Sequence, residues 1–117
     1  MYILKGLNLT YQEERANNHF VKAFLDIIVL AILYENPSHG YKLIEDIHNN
    51  FGVLLSPGTL YPLLYRLEER NLIEVEEVQR SKVYRLTSEG NRRLFQIIKI
   101  YREKMKNILE FIEDKLN

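Results

Sequence analysis

Ser56-Pro57-Gly58-Thr59, with Tyr61 and Arg66 just beyond, is the stretch whose residue types best suit contact with a ligand. Serine is a strong helix N-cap, and proline fits the first helical position, where its missing N–H costs nothing. The start of a helix carries unpaired N–H groups and the positive end of the helix dipole, and both favour phosphate. Small residues at Gly58 and Thr59 permit close approach to a groove. Tyr61 adds a hydroxyl on an apolar ring that could rest on sugar or a thymine methyl, while Arg66 could reach a phosphate or a guanine edge. Further along, Gln79-Arg80-Ser81-Lys82 sets two cations about a short polar connection. The chemistry implied is recognition of a polyanion, not the making or breaking of bonds.

Other chemistry is poorly supplied. No phosphate-cradling glycine loop or nucleophile elbow is present. The three histidines are His19, His39 and His48, and the last two fall at opposite ends of one helix, too far apart to share a metal. The absence of cysteine excludes disulfides and thiolate sites and favours a reducing, cytoplasmic location. We therefore expect no catalytic residues, no metal and no cofactor. The N-terminus lacks the pattern of a signal peptide, and the longest apolar run, Ile27 to Tyr34, is too short to cross a bilayer.

Net charge is zero across the 117 residues, so any affinity for nucleic acid must come from local placement. Residues 1–55 carry four basic and six acidic groups, 56–90 five and six, and 91–117 seven and four. The acids Glu68, Glu69, Glu74, Glu76 and Glu77 weaken the field around the candidate contact surface.

The elements that would position these residues follow from local pattern. Thr10 and Glu13 form a capping-box signature for a short helix ending near Asn17, with Asn17-Asn18 interrupting it. Phe20 to Glu35 is apolar almost all round, as expected of a helix buried on several sides, and Pro37 ends it. A second helix spans about Gly40 to Phe51, with Tyr41, Ile44, Ile47, His48 and Phe51 on one face and Gly52 as a left-handed terminator. Val53-Leu54-Leu55 has the length of a small strand that could pair with the hairpin. The helix begun at Ser56 carries a stripe of Leu60, Leu63, Leu64 and Leu67 and ends near Asn71. Pro62 within it removes one backbone bond, which fits either a first turn shaped for a groove or simple tolerated strain. Residues 72–79 and 82–87 read as two strands. Thr87 caps a final helix that could run from Ser88 to about Leu116.

That helix places Leu94, Ile98, Tyr101, Met105, Ile108 and Ile112 at alternating steps of four and three, a heptad seam widened by Ile97, Leu109 and Leu116. At 1.5 Å per residue it extends roughly 40 Å, more than so small a domain can cover. A second copy of the chain is the expected partner, with folding back along the first helix as the competing arrangement. The basic residues Arg92, Arg93, Lys99, Arg102, Lys104 and Lys106 read as a solvated face, or as partners for Glu13 and Glu14.

The order of parts is a winged helix-turn-helix, whose second helix enters the major groove of duplex DNA in known cases. The fold class is therefore mainly α with a small β-hairpin: a winged helix-turn-helix plus a long C-terminal dimerisation helix. We divide the chain into an N-terminal arm and short helix (1–19), a DNA-binding domain (20–87) and the dimerisation helix (88–117).

His39-Gly40-Tyr41, Gly58-Thr59-Leu60-Tyr61-Pro62-Leu63-Leu64 with Arg66-Leu67-Glu68, and Tyr84-Arg85-Leu86-Thr87 with Gly90 carry a more specific likeness. Together they resemble the PadR family of transcriptional regulators over roughly residues 20 to 115. The resemblance implies a homodimeric repressor on a palindromic site, of the short type with a single C-terminal helix. It also implies, for some members, a flat aromatic effector held at the dimer interface between facing aromatic side chains; Tyr101, on the seam, is the candidate for that role, with plain interface packing as the favoured alternative. The arm of about 19 residues is longer than such short members carry. The expected DNA contacts are Tyr41, Ser56, Pro57, Gly58, Thr59, Tyr61, Pro62 and Arg66 on the helices, with Arg80, Ser81, Lys82 and Tyr84 on the wing. The competing function is a winged-helix adaptor that binds protein instead of DNA, a reading favoured by zero net charge and the acids beside the wing.

Overall fold

A computed structural model describes residues 10–117, so the arm expected over residues 1–9 lies outside the described residues. Five helices and three short strands follow in the order α1 (Tyr11–Ala23), α2 (Leu25–Glu35), β1 (Ser38–His39), α3 (Gly40–Phe51), α4 (Pro57–Glu69), β2 (Ile73–Val78), β3 (Ser81–Leu86) and α5 (Ser88–Leu116). The strands form one antiparallel sheet in the order β1-β3-β2.

The capping box at Thr10 forms as expected, with Glu13 N–H donating to the threonine hydroxyl and the Glu13 carboxylate accepting from the Thr10 N–H. These bonds hold the Glu13 carboxyl below its ordinary value. Asn17-Asn18 does not interrupt α1, however. Asn17 Nδ2 instead donates to the Phe51 carbonyl at 2.9 Å, filling an acceptor at the end of α3 that the helix itself leaves open. The break falls at Phe24, where the chain bends by 66° between α1 and α2. The boundary drawn at residue 20 therefore lies inside a helix. Among the described residues no single helix is long and apolar enough to cross a membrane.

The apolar helix α2 is the centre of the protein. Leu25, Ile27, Val29, Leu30 and Leu33 are all buried, and they join Leu43 and Ile47 of α3, the leucine stripe of α4, and Leu72, Ile73 and Tyr84 around the sheet. On α3, Ile47 is buried and Ile44 and Phe51 pack against the core as expected, joined by Gly40 and Leu43, whereas Tyr41 and His48 point outward.

Val53-Leu54-Leu55 is not a strand. Val53 and Leu55 are buried and Leu54 is exposed, so the alternation is real, but the sheet partner of the wing is Ser38–His39. Pro37 explains the choice: it ends α2 and holds Asn36 extended (φ −157°, ψ 146°), delivering the next two residues alongside β3.

The hairpin turn is tighter than the four residues expected. Val78 pairs with Ser81, leaving Gln79 (φ 50°) and Arg80 (φ 68°) as a two-residue loop with both backbones left-handed. That is the geometry favoured by the twist of a hairpin, though glycine or asparagine normally occupies it.

Thr87 joins three elements. Its hydroxyl accepts from the Gly90 N–H at 2.9 Å and donates to the Asn71 carbonyl at 2.6 Å, while its own N–H bonds the Leu72 carbonyl. Thr87→Ala should lower stability by about 0.5–2 kcal/mol, the usual range for a lost N-cap. Thr87→Ser should recover most of it in urea denaturation. Equal loss in both variants would place the effect in the threonine methyl rather than the cap.

Candidate nucleic-acid interface

Ser56 caps α4 as its type predicts: the hydroxyl accepts from Thr59 N–H at 3.2 Å, and Pro57 opens the helix. Leu60, Leu63, Leu64 and Leu67 go to the core, which turns Ser56, Pro57, Gly58, Thr59, Pro62 and Arg66 outward. Pro62 is accommodated within a continuous helix. Gly58 has open space around it; an added Cβ would meet only the Ser56 hydroxyl, at 3.7 Å. Among the described residues, the start of α4 is thus small, polar and unobstructed.

Tyr61 is 41% exposed and lies across the first residue of α3. A Cβ on Gly40 would fall 2.3 Å from the Tyr61 hydroxyl oxygen and 2.7 Å from Cζ, so the ring lies directly on the Gly40 backbone and a side chain there would push it aside. Next to it Tyr41 is exposed, with its ring stacked on His39 at 5.3 Å. His39 occupies the N-cap position of α3 without making a side-chain cap bond. Its Nδ1 instead hydrogen-bonds Ser81 Oγ at 3.2 Å across to the wing. These contacts join Tyr61, Tyr41 and Ser81 through the two residues His39 and Gly40. Sequence patterning could not show the His39 link, because its partners lie on separate elements.

One expected contact is withdrawn. Tyr84 is 5% exposed and belongs to the core, so its ring supports the wing from within. Burial pushes its phenol above the ordinary value, helped by the nearby Tyr61 and Glu68.

Ion pairing sorts the cations. Lys42 is held by Glu45 and Asp46 at 2.8 and 3.3 Å, which raises its pKa through the hydrogen bond to Glu45 first. Arg85 is taken by Glu76 across the hairpin at 2.9 Å. Arg92 and Arg93 both lean on Glu89, whose carboxyl is lowered chiefly by the Arg92 hydrogen bond. Among the described residues, Arg66, Arg80 and Lys82 are exposed and form no ion pair. Exposed cations outside any ion pair thus lie on α4 and at the wing, and among the described residues also on α1 and α5, where Lys22, Lys99, Arg102, Lys104 and Lys106 are likewise unpaired.

The profile of the PadR-like transcriptional regulator family matches residues 29–96. The chain belongs to that family. A transcriptional regulator of Mycobacterium tuberculosis is 31% identical over 94 residues, covering 77% of this chain and 87% of its own length. Transcriptional activator GvpE of Haloferax mediterranei is 39% identical over 72 residues, 61% of this chain; the chain spans only 38% of that activator. A PadR family regulator from Clostridium difficile has a similar structure, with TM-score 0.69 and 27% identity over 76% of this chain and 98% of the other. One from Eggerthella lenta gives TM-score 0.69 at 26% identity, covering 86% and 90%. PadR-like proteins are transcriptional regulators rather than enzymes, in keeping with the chemistry of the surface.

The long helix carries the remaining candidate surface. Leu94, expected in the seam, is 6% exposed and packs in its own chain's core, so the free stripe begins at Ile98. Ile98, Tyr101, Met105, Ile108 and Ile112 are between 36% and 59% exposed. Ile100 and Phe111, which the heptad count left out, are exposed as well and widen the apolar arc. Phe24, Ile98, Tyr101, Met105 and Leu109 line an open groove of about 590 Å³. The Tyr101 ring meets Phe24 edge-on at 5.2 Å.

Proposed function

We propose that this PadR-like regulator is a homodimer that binds a palindromic operator in duplex DNA and represses transcription. The observation that carries the DNA reading is Arg80. It stands in a left-handed backbone, a conformation that costs a non-glycine residue roughly 1–2 kcal/mol, with its guanidinium exposed and unpaired. Strain retained at an exposed cation beside an open helix start fits a contact with phosphate. Ser56, Pro57, Gly58, Thr59, Tyr61, Pro62 and Arg66 would face the groove, with Tyr41, Ser81 and Lys82 flanking it. Residues 20–87, which take in the last turn of α1, are the DNA-reading part and 88–117 the pairing helix, with the rest of α1 attached ahead of them.

Arg80→Gly separates this reading from a purely structural one. The substitution should relieve the turn and raise stability, yet weaken binding to all duplexes and reduce the slope of log affinity against log salt by about one. Lys82→Ala should weaken binding similarly without the gain in stability. An adaptor function, favoured by exposed Glu74, Glu76 and Glu77 beside the wing, predicts instead no retention of DNA even at low salt.

Pairing through α5 rests on the apolar stripe from Ile98 to Ile112, which the protomer leaves open. Release by a small aromatic compound is the remaining part of this reading, with the open groove lined by Phe24, Ile98, Tyr101 and Met105 as the place where its ring would lie. Transcript levels in a strain lacking the gene distinguish repression from activation, the role named for GvpE. A rise in target transcripts supports repression; a fall contradicts it.

A further inference from the structure

We infer that His39 is a positioning residue: its bond to Ser81 indexes the wing against the helix-turn-helix, so that wing and recognition helix meet DNA at one fixed spacing. This rests on the DNA reading above and adds how the two contacting elements are held together.

The need for such a joint follows from the sheet. β1 is two residues long and pairs only with Val83 and Tyr84, so it braces the base of the wing. Towards the tip, Glu77 to Lys82 is a two-stranded ribbon held by its own ladder. Isolated two-stranded ribbons are marginal in water, and this one ends in a turn with two strained residues. His39 reaches past the end of β1 to Ser81, beside that turn. Its ring is fixed from a second side by the stack on Tyr41, with planes 20° apart. The next residue, Gly40, is the seat of Tyr61 from α4. Two consecutive residues therefore carry the wing on one side and the recognition helix on the other. A freely swinging wing would still attract phosphate but would lose its register with the bases, so the joint governs discrimination more than overall attraction.

The test uses the full chain with Ser81→Ala, His39→Gln, the double variant and Ser81→Thr. Amide hydrogen exchange in the free protein is followed at residues 76–83, and affinity is measured for the preferred duplex and for random duplex. Ser81→Ala and His39→Gln should each speed exchange at the wing and lower the preference for the selected site by about two- to tenfold, the effect of one hydrogen bond. At the wing the double variant should exchange no faster than either single one, and Ser81→Thr, which keeps the hydroxyl, should exchange as the parent does. Unchanged wing exchange in both single variants, or losses that simply add in the double, overturns the joint. A parent chain that retains no DNA at low salt overturns the DNA reading instead, while the exchange data still decide whether His39 holds the wing.

Discussion

A chain carrying Ile98→Glu and Met105→Glu sediments as a monomer and loses its preferred DNA site, while its helix content stays that of the parent. Both side chains are about 40% exposed in the protomer, so neither substitution removes a packed core contact. Both lie within the stripe that we propose a second copy covers. In that seam each carboxylate would be desolvated without a partner, twice over by symmetry, a penalty of several kcal/mol per ion. The consequence for DNA is larger than for the protein. A pair binding two half-sites gains from effective concentration, and its separation should weaken operator binding by about a hundred- to ten-thousand-fold. Random duplex, held through phosphates, should suffer less. Leu94→Glu makes the contrast: that position is inside the core, and the variant should fail to fold. A dimer unaffected by the Ile98 and Met105 changes would reject the seam.

Among the described glycines, Gly90 is the one where an added methyl should be most damaging, in Gly90→Ala. The added Cβ would stand 2.0 Å from the Leu72 carbonyl oxygen and 2.8 Å from Leu86 Cδ1. The first of these neighbours is backbone and cannot turn aside, and the same carbonyl accepts the Thr87 N–H. Relief therefore requires α5 to lift from the sheet, breaking the Thr87 joint. Overpacking of this kind costs about 1–3 kcal/mol, and the melting temperature should fall by on the order of 10 °C. Gly58→Ala provides the control. Space is open there and alanine is the better helix former, so stability should hold or rise by up to about 1 kcal/mol. Its methyl would instead project from the helix start and impair DNA binding. Equal melting temperatures for the two alanine variants would contradict the close approach of α5 to Leu72.

These effects bear on how much of the protein could be read from sequence. Caps and local periodicity were legible because they depend on neighbours within one element: Thr10, Ser56 and Thr87 at helix starts, Gly52 at a helix end, and the leucine stripe of α4 all stand where their types place them. Periodicity fixes which face a side chain occupies, but not how far along an element the core extends. Leu94 and Ile98 share a face of α5, yet the first is buried and the second exposed, because the domain ends between them. Lys82 and Tyr84 share a face of β3, and the same rule divides them at the other end of the sheet. The strand at Val53–Leu55 failed for a related reason. Its alternation was correct, but strand identity depends on who lies beside it, and Pro37 had already put Ser38 there. The contact between His39 and Ser81 spans 42 residues and leaves no trace in any local pattern.

The most direct test is to let the purified protein choose from fragmented genomic DNA of its host, at moderate salt, and to sequence what is retained. Operator binding by a symmetric pair predicts enrichment of an inverted repeat whose half-site centres lie about 10 base pairs, one helical turn, apart or a multiple of that. Retained fragments with the same sequence composition as the input, or no retention at all, would contradict it.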